Sequence, residues 1–177
     1  MIFRPLIPHP ATPVPAVQSL EVYLERSRDG VVARFACRVA PGLLRLPQSQ
    51  SGVADELWRH TCCEVFVSKP GELAYREFNA SPSGQWAMYG FLAYRVRDFS
   101  VAVGPKPQLS FDESAAGWTL ELALEPIKGS IDVGVSVVLE SINGALSYWA
   151  LDHAGMQPDF HRRESFVWRL NDPADEK

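Results

Sequence analysis

Basic residues are in short supply. The chain carries 17 Lys and Arg against 21 Asp and Glu, a formal net charge of −4 and a pI near 5.6. That balance argues against the positive footprint that binding to a phosphate backbone requires, so nucleic acid is not an expected partner. No apolar run approaches the roughly 20 residues of a membrane-spanning helix, and no membrane role is expected. Cysteine is scarce too: of three in the chain, Cys62 and Cys63 are neighbours. An odd count leaves one over, and a bond between adjacent cysteines is strained, so no disulfide framework is expected and a reducing compartment fits. Helical periodicity, internal repeats, a Gly-rich phosphate cradle and a nucleophile elbow are all missing from the sequence.

Proline, by contrast, is concentrated at the start. Residues 5, 8, 10, 13 and 15 are Pro, which breaks the apolar helix a signal peptide needs and leads to the expectation of a cytoplasmic protein. Residues 1–17 form an arm expected to lie extended on the surface as polyproline or edge strand. Residues 18–171 form one domain, and residues 172–177 an acidic tail. "SLEVYLER" and "VVARFACRV" alternate apolar and polar residues around the turn "RDG" and predict a hairpin. "CCEVFVS", "AYREFNAS", "QWAMYGFLAYRV", "WTLELALEP", "VGVSVVLESI", "LSYWAL" and "SFVWRL" follow as further strands between Gly, Pro, Asn, Asp and Ser clusters. Many short strands with regular turn signals predict an all-β, antiparallel sandwich of jelly-roll or immunoglobulin-like type.

The chemistry concentrates in "LWRHTCCEVFV", residues 57–67. Trp58, His60, the two cysteines and Glu64 crowd the entrance to a strand. Glu64 and Glu77 each sit on a strand face that also carries aromatic or amide groups, Asn79 among them. If the two strands pair, both carboxylates line one face; otherwise each is a solvated residue on the polar side of a sheet. Trp58, Trp86 and Trp149 lie in polar, loop-adjacent contexts. They are candidate platforms for a sugar ring, which needs a flat aromatic surface and directed polar groups, or they close the ends of the core. His153, Asp159 and His161 share the loop "DHAGMQPDFHRRE". Their spacing matches no metal motif, and Cys62 and Cys63 point to opposite faces, so no metal site is expected. Were the carboxylates part of a cleft, they would be open to solvent.

"LWRHTCCEVFV", "AYREFNASPSGQWAMYGFLAYR" and "YWALDHAGMQPDFHRRESFVWRL" together resemble the bacterial DOMON-like proteins related to family 9 carbohydrate-binding modules, over nearly the whole chain. The resemblance implies an antiparallel β-sandwich with a ligand cleft on one sheet, used for sugars or, in another branch, haem. Carried onto this chain, it makes Glu64 and the segment from Glu77 to Trp86 cleft elements, with Trp58 and Trp149 as partner aromatics. The resulting expectation is a non-catalytic module for a sugar or sugar-containing small molecule, with no cofactor. Its polar floor comprises Trp58, His60, Glu64, Glu77, Asn79, Trp86, Trp149, His153, Asp159 and His161. The alternatives are a haem domain, with Met88 and His153 or His161 as axial ligands, and a glycoside-processing enzyme using the two glutamates.

Overall fold

The computed structural model describes residues 3–13 and 16–174. Parts of the arm (residues 1, 2, 14 and 15) and of the acidic tail (175–177) lie outside the described residues. The arm supplies β1 (Phe3–Pro5) and β2 (Ile7–Pro8), and the first hairpin is β3 (Val17–Ser27) with β4 (Gly30–Val39). The long loop contributes β5 (Gly52–Val53). Then come β6 (Cys62–Ser68), β7 (Tyr75–Ala80), β8 (Gln85–Ala93) and β9 (Val96–Arg97). The last strands are β10 (Gln108–Ser114), β11 (Gly117–Leu124), β12 (Ile131–Glu140), β13 (Leu146–Ala150) and β14 (Trp168–Leu170).

These strands form two layers. A five-stranded sheet runs β1-β3-β4-β11-β10, and a nine-stranded sheet runs β2-β13-β12-β6-β7-β8-β5, with β14 beside β12 and β9 beside β8. Among the described residues the pairing is antiparallel except for the two-residue β5, which runs parallel to β8. The protein is an all-β sandwich. The arm joins both layers: β1 pairs with β3 in one sheet, β2 with β13 in the other, and Leu6 between them is buried. The β3–β4 hairpin turns at Gly30, where φ is 141° and a Cβ would sit 2.0 Å from the Leu124 carbonyl oxygen, so only glycine fits.

Between the sheets, Val22, Phe35, Leu120 and Leu122 meet Val65, Val133, Val137 and Leu139, all fully buried. Their alternation along each strand is the period-two pattern of a sheet with one face inward. β10 was not expected from the sequence: it is a polar outer edge, and only Leu109 and Phe111 turn inward. The larger sheet buries its opposite face as well. There Leu57, Phe66, Tyr75, Tyr89, Phe91 and Phe166 form a second apolar cluster. β6 is consequently buried along its whole length, and that doubly covered region holds the polar residues that matter.

Candidate functional site

Strand register sets the site. On the outer face of the large sheet, one row runs Ser136–Glu64–Asn79–Ala87 across β12, β6, β7 and β8, and the next runs Gly134–Phe66–Glu77–Tyr89. Glu64 and Glu77 therefore sit diagonally, on one face, in adjacent rows. A cleft of about 380 Å³ opens above them. Trp58, on the 3-10 turn Leu57–Arg59, Arg95 and Arg97 beside β8, Tyr148 from β13, and Asp159 to His161 from the loop before β14 complete its walls.

The two glutamates are not open to solvent as expected: Glu64 is 3% and Glu77 4% exposed. They form a covered floor because aromatic neighbours and the loop carrying His161 overlie the sheet. The Ser136 hydroxyl donates to Glu64 Oε2 at 2.6 Å, and the Asn79 amide donates to Glu77 Oε1 at 2.8 Å. Burial, and then the charge of Glu77, push Glu64 up to about 8. Burial likewise raises Glu77 to about 7, against the Asn79 hydrogen bond and the fields of Arg97 and Arg95. His161 moves the other way, down to about 4, because it is buried and lies near Arg95, so it is neutral at physiological pH. Its Nδ1 lies 2.8 Å from the Tyr75 hydroxyl, and its Nε2 lies 3.7 Å from Glu77 Oε2. The rings of Phe66, Tyr75 and Phe91 surround it at 5.0–5.9 Å.

The arginines are already engaged. Arg95 donates to Asp159 Oδ1 at 2.9 Å, and Tyr94 donates to Asp159 Oδ2 at 2.6 Å. Partial burial pulls Asp159 upward, but these two bonds hold it below its ordinary value. Arg97 lies 4.0 Å over the ring of Tyr89, whose hydroxyl donates to Asp55. The loop wall is fastened from outside. His9 Nε2 lies 3.1 Å from the Gly155 carbonyl oxygen, His153 Nε2 lies 2.8 Å from the Ile7 carbonyl oxygen, and the two imidazoles meet edge to face at 4.7 Å.

Of the ten residues named from the sequence, Trp58, Glu64, Glu77, Asp159 and His161 line this cleft, and Asn79 lies opposite Glu64 in the strand row beneath it. The others do not. Trp149 points into the inter-sheet core, where its indole donates to Ser147 Oγ at 3.0 Å; its neighbour Tyr148 takes the cleft side. Trp86 pairs with the core residue Ala80 and faces the other layer, so it is not a platform. His60 is directed to the end of β12, where Nδ1 lies 2.7 Å from Glu140 Oε2, and His153 is held by the arm. Met88 is opposite Phe78 on the inter-sheet side. It therefore lies on the opposite sheet face from His161, and His153 Nε2 is engaged by the Ile7 carbonyl oxygen, so neither Met/His pairing of the haem alternative is assembled here. Among the described residues no group of three or more His, Cys, Asp or Glu converges for a metal.

Tyr148 and the arginines were missed. Strand parity was the available signal for Tyr148, since a residue next to an inward Trp faces outward. Arg97 follows a left-handed turn at Arg95, φ 54°, that the sequence does not announce.

No protein-family model matches the chain, and no curated protein does. Among solved structures, the fold is similar to that of a "putative carbohydrate-binding protein" from Bacteroides uniformis, with a TM-score of 0.65 over 93% of this chain and 84% of that one. The two are 15% identical, so the likeness is one of fold.

Proposed function

We propose that this protein binds a small sugar non-covalently in the cleft on its larger sheet. The observation that carries this reading is a buried carboxylate pair on a rigid sheet, surrounded by aromatic side chains. Carboxylate oxygens accept hydrogen bonds from sugar hydroxyls, and aromatic faces cover the apolar C–H side of the ring. The volume of about 380 Å³ suits a compact ligand, since small-molecule pockets span roughly 300–1,000 Å³. The resemblance of three long segments to DOMON-like, family 9-related modules supports the same class. The carbohydrate-binding assignment of the structurally similar Bacteroides protein points the same way. Titration calorimetry and thermal shift against monosaccharides, disaccharides, sugar nucleotides and muropeptides test the proposal. Saturable heat with a raised melting temperature for a sugar is expected; silence across the panel overturns it.

One observation favours a second reading, glycoside processing. A glutamate that keeps its proton near neutrality is suited to general-acid work beside a second carboxylate. Sugar hydrolysis that disappears in Glu64→Gln while binding persists would establish that activity. Binding without turnover leaves the module reading.

A further inference from the structure

The floor of the cleft has acceptors without donors. Ser136 engages one oxygen of Glu64 and Asn79 engages one oxygen of Glu77. Among the described residues neither carboxyl has a charged partner within ion-pair distance; the basic side chain nearest Glu77 is His161 at 3.7 Å, which is neutral. Asn79 is 1% exposed, and its Oδ1 has no hydrogen-bond partner among the described residues. Its amide nitrogen is committed to Glu77, and Glu64 stands directly opposite it on β6, so the orphan oxygen belongs to this polar row. An unpaired buried acceptor costs free energy, and the two carboxyls at the cleft floor, with an unpaired amide oxygen behind them, form an acceptor-rich floor that a bound cation would complete.

We propose that the cleft is built for an amine-bearing sugar, whose ammonium group settles between Glu64 and Glu77. This rests on the sugar reading above and narrows it. An ammonium brings three N–H donors and a positive charge; a hydroxyl brings one donor and no charge. Neutral sugars would leave part of the acceptor set unused.

The cations lining the cleft do not fill the role. Arg95 is held by Asp159, and Arg97 sits over the ring of Tyr89, whose hydroxyl donates to Asp55. Tyr75 and Tyr148, the other titratable groups nearby, are neutral, with burial raising both phenols further. In the empty cleft a proton can occupy the place of the ligand's charge: burial and Glu77 raise Glu64 far enough for it to hold one near neutrality. An ammonium would displace that proton and leave two ionised acids paired with a cation.

The test is calorimetry at neutral pH. The probes are glucose, galactose and mannose, their 2-amino forms and their N-acetylated 2-amino forms, which keep the nitrogen but lose the charge. The expected result is that at least one 2-amino sugar binds about ten-fold tighter or more than both its hydroxyl and its N-acetyl counterparts, the worth of a charged hydrogen bond. In Glu77→Gln and Glu64→Gln the ratio should fall to within about two-fold. Neutral sugars binding as well as the amines, or a preference that survives in both variants, would overturn the inference and leave the sugar reading standing. Silence from all nine compounds, set beside binding of another sugar from the wider panel, would reject this class alone. Silence everywhere would remove both. The wild-type comparison decides the matter even if a variant fails to fold.

Discussion

The two faces of the larger sheet are made by the same strands, yet they obey different rules. Toward the smaller sheet, β6 and β12 present Cys63, Val65, Val67, Val133, Val135, Val137 and Leu139, a continuous aliphatic surface. One residue out of phase, the same strands present Glu64, Phe66, Ser136 and Val138. Both faces are covered, so burial does not distinguish them. What differs is chemistry: one face satisfies itself by packing, and the other holds carboxylates that burial pushes toward their neutral forms. A buried polar row within an otherwise complete sandwich weakens folding locally, and such features are characteristic of sites.

Substitution on the packed face should have the largest effect on stability. Trp149→Ala removes an indole that is 5% exposed, packed among core residues and bonded to Ser147. A loss of about 3–5 kcal/mol is expected, measured by urea unfolding. A loss below about 1 kcal/mol would mean that Trp149 is not a core residue and that the two faces are less distinct than described.

The polar face should respond with the opposite sign, in a pH-dependent way. An acid whose pKa rises on folding takes up a proton in the native state. It therefore favours folding most below its ordinary value near 4.5, and that contribution is lost as the pH climbs through about 7 and 8. Glu64→Gln removes a charge that would otherwise be buried at alkaline pH. It should stabilise the protein by on the order of 2 kcal/mol at pH 9, roughly 4–8 °C in Tm, and by little at pH 5. His161 works in reverse: its lowered pKa contributes stability that is full above about 6.5 and is lost as the pH falls toward about 4. Melting curves from pH 4 to 9 in both backgrounds separate the two. A flat difference between wild type and Glu64→Gln would mean that Glu64 is not a buried acid in solution.

A smaller effect is expected where the cover meets the sheet. A Cβ at Gly134 would stand 2.6 Å from a ring carbon of Phe166, the residue that closes the loop over the outer face. Gly134→Ala should therefore push Phe166 outward and cost about 1–3 kcal/mol by thermal or urea denaturation. Greater amide exchange is expected in residues 158–166 than in the inter-sheet strands. Exchange that rises equally on both faces would show that the cover is not a separable layer.

These contrasts also explain what could be read from the sequence. Strict alternation made β3, β4, β11 and β12 visible, because each has an inward aliphatic face. β10 escaped because an outer edge strand needs only two inward residues. Glu64, Glu77 and Asn79 stood out as polar groups inside apolar strands, and the register that places the two acids diagonally is a tertiary result. Trp86 and Trp149 were misplaced for a related reason. Each lies near polar loops, and which way a strand residue points depends on which face is the core, a choice that one sequence leaves open when both faces are buried. The histidines of the loop divided similarly, since His161 and His153 are separated by contacts with Tyr75 and with the arm that no local pattern encodes.

Trp58 gives the sharpest contrast with Trp149, since the same residue type sits in the two environments. It is 41% exposed on a short turn whose buried anchor is Leu57, and the Arg59 guanidinium lies 5.3 Å from its ring centroid. Removing the indole takes little from the core and leaves Leu57 to hold the turn against the outer face. Trp58→Ala should thus shift stability by no more than about 0.5–1 kcal/mol, the smallest change in this series. If this wall covers the apolar side of a sugar ring, the same substitution should weaken binding by about ten-fold or more, because an aromatic contact on a desolvated ligand is worth roughly 1–3 kcal/mol. Calorimetry and melting of one variant preparation read both quantities. Undiminished affinity would move the ligand away from the Trp58 wall, and a stability loss as large as that of Trp149→Ala would make Trp58 a core residue.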